Sequence, residues 1–136
     1  MKTALTLSVL LVLSSCTAKT QNTSNLAQDY CYGDGYNDLK MTLKQSQDTV
    51  YVYYLNILDE GNYINGYAED DDYAGFFILP ETGITSPISF SLLNYRSPDF
   101  SYLLTLTPSP EGLTWKIQEE NPSFLPREAI LSPCKP

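Results

Sequence analysis

The residues that could do chemistry in this chain are three cysteines (Cys16, Cys31, Cys134), sixteen carboxylates and eleven tyrosines; histidine is absent. Without histidine there is no Ser–His–Asp triad, no common zinc site and no imidazole pH switch. No Gly-rich phosphate loop is present. The densest charge is Glu69-Asp70-Asp71-Asp72, with Asp59 and Glu60 upstream. Oxygen ligands of this kind suit calcium. Consecutive carboxylates point in different directions, however, and Asp is a turn residue in its own right. A solvated turn is the expectation, with contact to a basic partner as the other use. Gly33-Asp34-Gly35-Tyr36-Asn37-Asp38 also looks like a calcium loop. Counted from Asp34, its sixth position is Leu39 and its twelfth Gln45, where an EF-hand requires Gly and Glu. A turn after Cys31 accounts for it better. A glycosidase needs two carboxyls facing across a cleft, and the concentrated acids here fall in turns. The expectation is therefore a protein that is not an enzyme and holds no metal or cofactor.

Eight basic residues against sixteen acidic ones give a net charge of −8. Nucleic acid is an unsuitable partner, because its recognition needs a basic face. Tyr51, Tyr53, Tyr54, Tyr63, Tyr67, Tyr73, Tyr95 and Tyr102 lie on or beside predicted strands. Tyrosine is a good strand residue. It also offers contact area plus one hydroxyl, as a binding face or cavity mouth requires. Tyr53, Tyr67 and Trp115 are candidates to sit on neighbouring strands. No individual ligand-binding residue can be named at this level.

The N-terminus carries an address. Lys2 supplies a positive start, and Ala4–Leu13 forms an apolar run too short for a bilayer, which takes about 20 residues. Leu13-Ser14-Ser15-Cys16 follows. This tetrapeptide resembles the lipobox of bacterial lipoproteins. The resemblance implies a signal peptide over residues 1–15, cleavage before Cys16, and acylation (palmitate among the chains) of Cys16. Burial contributes roughly 0.8 kcal/mol per CH₂, so several acyl chains anchor stably where one is marginal. Thr17 follows the cysteine, and in a Gram-negative cell the family's sorting pattern then points to the outer membrane. Residues 16–28 read as a polar, lipidated tether with a reach of about 20 Å. Residues 29–136 read as one domain. The Asn22-Thr23-Ser24 sequon in the tether carries no expectation of glycosylation in a bacterial lipoprotein.

With Cys16 lipidated, Cys31 and Cys134 remain, at opposite ends of the domain. Export places them where disulfides form, and one pairing is available. A Cys31–Cys134 bridge is expected, two free thiols in a reducing setting being the alternative.

The elements that must position these residues read as strands. Leu39, Met41 and Leu43 alternate on one face. Thr49–Leu58 is β-branched and aromatic on both faces, as a central strand would be. Asp59–Asn62 is a turn, Asn62–Glu69 a strand with Gly66 as a candidate bulge, and Asp70–Asp72 the next turn. Tyr73–Leu79 is a strand ended by Pro80, and Ile88–Leu92 alternates again. Phe100, Tyr102, Leu104 and Leu106 form a period-2 face, turned at Pro108–Gly112 onto Leu113, Trp115 and Ile117. Pro122 and Pro126 interrupt any helix, leaving Arg127–Leu131 as a short edge segment. The fold expected is all-β, a small antiparallel barrel or sandwich of seven to eight strands joined as a meander.

The plan of lipobox, tether, and small β-domain with Asp29-Tyr30-Cys31 answered by Cys134 resembles that of lipoproteins inhibiting lysozyme at the bacterial envelope. It is also similar to calycin-like ligand binders. The inhibitors' Ser-Gly-x-x-Tyr loop is not found; Asn65-Gly66-Tyr67 is a distant echo. The expected function is a non-catalytic, lipid-anchored envelope module that binds a protein or small ligand. Lysozyme inhibition and a role as accessory subunit of an envelope complex are the alternatives. A hollow interior would favour the small ligand; a filled core with acidic loops would favour the inhibitor, and an apolar patch the subunit.

Overall fold

The computed structural model describes residues 28–61, 63–67, 72–120, 122 and 124–136. The signal segment, Cys16, the sequon and Glu69–Asp71 lie outside the described residues. The strands are β1 (Gln28–Gly33), β2 (Asn37–Ser46), β3 (Thr49–Leu58), β4 (Tyr63–Tyr67), β5 (Gly75–Ile78), β6 (Ile88–Asn94), β7 (Ser97–Ser109), β8 (Gly112–Ile117) and β9 (Glu128–Pro133). Gln28, assigned to the tether from sequence, is the first residue of β1.

Each strand pairs antiparallel in the order β4-β3-β2-β1-β9-β8-β7-β6, with β5 also on β3. The path is a meander nearly closed into a barrel. β3 is long enough to carry two partners: Tyr54–Leu58 pairs with β4, and Thr49–Val52 with β5. Pairing runs through Gly66 without a register shift. Gly66 is needed for close approach instead, since a Cβ there would meet the Tyr54 carbonyl oxygen.

The alternations read from sequence turn inward. Leu39, Met41, Leu43, Val50, Val52, Tyr54, Leu104, Leu106, Trp115 and Ile117 are buried in one continuous core. Trp115 lies on the face shared with β7, as expected, and is fully buried; its cross-strand partner is Leu106. Its indole Nε1 donates to the Pro126 carbonyl at 3.0 Å, which supplies the partner a buried indole needs. Phe100 departs from the expected face and is exposed. The β6–β7 register shifts between Leu93 and Asn94, whose partners are Ser101 and Ser97. Residues 98–100 are thereby thrown out of the ladder, as in a bulge.

Arg127–Leu131 is not an edge. β9 lies between β8 and β1 and joins the first and last strands. Cys31 and Cys134 are bridged, with Cα atoms 4.9 Å apart. Cys134 N–H also donates to the Asp29 carbonyl at 2.9 Å.

Candidate functional site

Tyrosines are divided by strand parity. Side chains alternate along β3, so Tyr54 points into the barrel while Tyr51 and Tyr53 point out, half-buried. Sequence reasoning put Tyr53 with Tyr67 and Trp115. The structure gives that place to Tyr54, whose ring meets Tyr67 at 6.0 Å and Trp115 at 6.3 Å, both edge-on. Tyr53 instead lies outside beneath Lys44, whose Nζ is 5.3 Å from the ring centroid.

The inward group closes a seam. The Tyr54 hydroxyl donates to the Leu93 carbonyl at 3.2 Å and accepts from Tyr95 N–H at 3.3 Å. Burial pushes its ionisation far above the ordinary tyrosine range, so it stays a neutral bridge. Tyr67 stacks edge-on with Tyr95 at 5.6 Å, and its pKa too is raised, mainly by burial, then by Tyr95 and Asp72. Nearby, Asn94 donates to the Tyr102 hydroxyl at 3.0 Å. Asn56 donates to the Phe124 carbonyl at 2.7 Å and to Asn37 Oδ1 at 3.1 Å. The Tyr54 and Tyr102 hydroxyls are thus engaged with the protein itself.

The outward group is different. Tyr51 and Tyr73 rings lie 4.9 Å apart, and Tyr73 and Phe76 meet edge-on at 5.9 Å. Tyr51 and Phe76 are direct cross-strand partners, as are Thr49 and Ile78. Tyr73, Phe76 and Ile78 are 41%, 51% and 57% exposed. This is a contiguous aromatic and aliphatic ladder on the barrel wall, the kind of surface that marks an interaction site. Sequence reasoning named Tyr51 and Tyr73 but missed Phe76 and Ile78. The signal was present: Gly75-Phe76-Phe77-Ile78 is apolar at both parities. In a barrel one parity must face outward, so such a strand leaves apolar side chains outside. β3, read as a central strand, does lie between β2 and the pair β4 and β5, and its second apolar parity faces outward.

Carboxylates flank the ladder. Asp72 immediately precedes Tyr73 and closes the acid run of the sequence. Asp48 is adjacent at the other end, where its carbonyl accepts from Leu79 N–H at 2.6 Å. Asp59 sits apart, in a 3-10 turn after β3 with its N–H on the Tyr36 carbonyl. Among the described residues no group of three or more Asp, Glu, Cys or His is placed to hold a metal ion.

Asp34 is a turn former. Its carboxylate accepts from Asn37 N–H at 2.7 Å, Tyr36 N–H at 2.9 Å and the Tyr32 hydroxyl at 2.9 Å. Those bonds, the Asn37 and Tyr36 amides foremost, hold its pKa down to about 2. Gly35 takes the left-handed conformation the turn requires, at φ 86°.

Two shallow depressions lie on the outer wall beside β1 and the C-terminal residues. One, of about 540 Å³, is lined by Tyr32, Lys40, Leu55, Ile57 and Pro133. The other, of about 510 Å³, includes Asp29, Lys44 and Lys135. Asp29 is ion-paired with Lys40 at 2.8 Å and accepts from Thr42 at 2.8 Å. The Lys40 bond chiefly holds its carboxyl below the usual range.

Comparison with protein families, with curated proteins and with solved structures finds no match to this chain. The reading of function therefore rests on the chain's own residues.

Proposed function

We propose that this protein is a non-catalytic module of the bacterial cell envelope, anchored through acylated Cys16 and binding a protein partner with the outer wall of its barrel. The observation that carries the choice of a protein over an enclosed small ligand is the filled barrel axis. Trp115, Tyr54, Met41, Leu104 and Ile117 are buried there to 1% exposure or less. A binder of small apolar molecules needs that volume empty. The anchor rests on the resemblance of Leu13-Ser14-Ser15-Cys16 to a lipobox, and in a Gram-negative cell it places the protein at the outer membrane. An accessory role in an envelope complex is one form of this reading.

The test has two parts. Wild-type protein is expected to incorporate labelled fatty acid and sediment with membranes, while Cys16→Ser is released to the soluble fraction. Sedimentation of the variant, with no label in the wild type, overturns the anchor. For binding, the purified variant is titrated with fluorescent fatty acids and retinoids. Saturable uptake of one molecule per chain overturns the protein-partner reading.

Lysozyme inhibition is the second reading, favoured by the net charge of −8. Such a charge steers encounter with a basic enzyme. A muramidase assay with the soluble variant in large molar excess decides it: stoichiometric inhibition supports it, and unchanged activity rejects it.

A further inference from the structure

We propose that the ladder of Tyr51, Tyr73, Phe76 and Ile78 is the docking surface, and that its occupant is a protein surface with an apolar centre rimmed by lysine and arginine. This inference rests on the protein-partner reading above and names the site and the chemistry of the partner.

The apolar part of the argument is exposure without an internal cause. Phe76 and Ile78 face outward because Phe77 and Gly75 must face inward, where both are buried. Gly75 lies so close to β6 that a Cβ there would fall 2.5 Å from the Ser91 carbonyl oxygen, and Phe77 packs against Phe90 on the same side. Strand parity is thus locked by the core. The outward positions were free to be polar, and they hold Phe and Ile. Aromatic side chains of this kind anchor protein interfaces.

The electrostatic part names the partner. The acid run ends at Asp72, next to Tyr73, and Asp48 borders Thr49, the cross-strand neighbour of Ile78; on the β2 side Lys44, the cross-strand partner of Tyr51, is turned onto the Tyr53 ring. A second copy of this chain would bring the same carboxylates against their like. Anionic lipid and nucleic acid are repelled for the same reason. A cationic rim is attracted, and its steering raises the encounter rate.

The test is photo-crosslinking in intact cells with the full lipidated chain, placing a benzophenone amino acid at Phe76. Tyr95, at the β6–β7 turn, and Ile130, exposed on β9, serve as comparison positions. Emission from the buried Trp115 checks that each variant is folded. The expected result is a discrete protein adduct from position 76, absent at 130. Its crosslinked peptide should lie in an apolar segment bordered by Lys or Arg. Asp48→Lys with Asp72→Lys should cut the yield about tenfold, in line with close interfacial charge pairs. An adduct with a second copy of the chain, a partner segment rich in acids, or a yield unaffected by the charge reversal overturns the inference. An adduct from 95 or 130 in place of 76 overturns the ladder while leaving the protein-partner reading standing. No protein adduct from any position overturns both.

Discussion

Where β9 meets β1, the backbone pairs Tyr30 with Pro133 and Cys31 with Ser132, and the Cys31–Cys134 bridge lies beside them. Where β5 meets β6, no ladder of paired residues is formed among the described residues. A main-chain bond crosses there, from Leu93 N–H to the carbonyl of Ala74, just before β5, at 2.7 Å, and the Tyr54 hydroxyl spans the seam beyond it. The first seam joins strands at opposite ends of the described domain, whereas β5 and β6 are consecutive strands linked by residues 79–87. One is fastened covalently at the chain ends. The other depends on a buried phenol and on glycine allowing two backbones to touch. The difference is physical: closure entropy grows only slowly with loop length, yet a terminal strand frays unless tied. β5 and β6 are held close by the short loop between them, so their seam needs no such staple.

The comparison is broken most severely by removing the staple. Cys31 and Cys134 are 103 residues apart, for which the chain-entropy model gives about 4.7 kcal/mol as an upper value. Cys31→Ser with Cys134→Ser should lower the denaturant midpoint accordingly. Hydrogen exchange should show β1 and β9 opening before β5 and β6. Equal loss of protection at both seams would mean that the barrel opens as one unit.

Trp115→Ala attacks the core beneath both seams. The indole is fully buried, so its loss should cost about 3–5 kcal/mol, transfer energy plus cavity. Denaturant unfolding measures it. A loss under about 1 kcal/mol would contradict the packing role, since surface substitutions stay within roughly 0.5 kcal/mol.

Tyr54→Phe sharpens the contrast by touching the phenol seam alone. It keeps the ring contacts but strands the Leu93 carbonyl and Tyr95 N–H. The expected cost is about 1–2 kcal/mol, with faster amide exchange at Tyr95 and no change at Cys31.

The smallest effect is acid sensitivity beside the disulfide seam. Asp34, at the β1–β2 turn, has its pKa lowered from 3.8 to about 2. A lowered folded-state value means that the stabilisation is full above the unfolded value and is lost as pH falls toward 2. Asp34 is exposed, so solvent screening keeps the contribution small. Asp34→Asn should flatten the stability slope between about pH 4 and 2, read from thermal unfolding across that range.

Much of this architecture was legible residue by residue. A period of two names a strand's faces, and the short Pro108–Gly112 turn obliges Tyr102, Leu104 and Leu106 to share a side with Leu113, Trp115 and Ile117. The disulfide was legible because two cysteines at the domain's ends allow one pairing. The candidate surface was half legible: Tyr51 and Tyr73 stood out by type, whereas Phe76 and Ile78 were read as part of a strand with no face assigned. Where a strand is apolar at both parities, as in Tyr53-Tyr54 or Phe76-Phe77, the local pattern is symmetric and cannot say which side is inside.

That choice belonged to the tertiary structure. β9, which reads as an edge segment, became the strand between β8 and β1 because the meander curls until its ends meet. Phe100 left its face because the β6–β7 register shifts at Leu93 and Asn94. Tyr54 rather than Tyr53 took the interior because its parity on β3 also carries Val50 and Val52 and lies opposite inward-facing Met41 and Leu43 of β2. Sequence by itself determined composition, the lipobox-like address, strand faces and hairpin pairings, since each depends on neighbours within a few residues. Closure, parity and the exposed ladder depend on how strand number, tilt and stagger combine around the whole barrel, and no local window of the chain contains that sum.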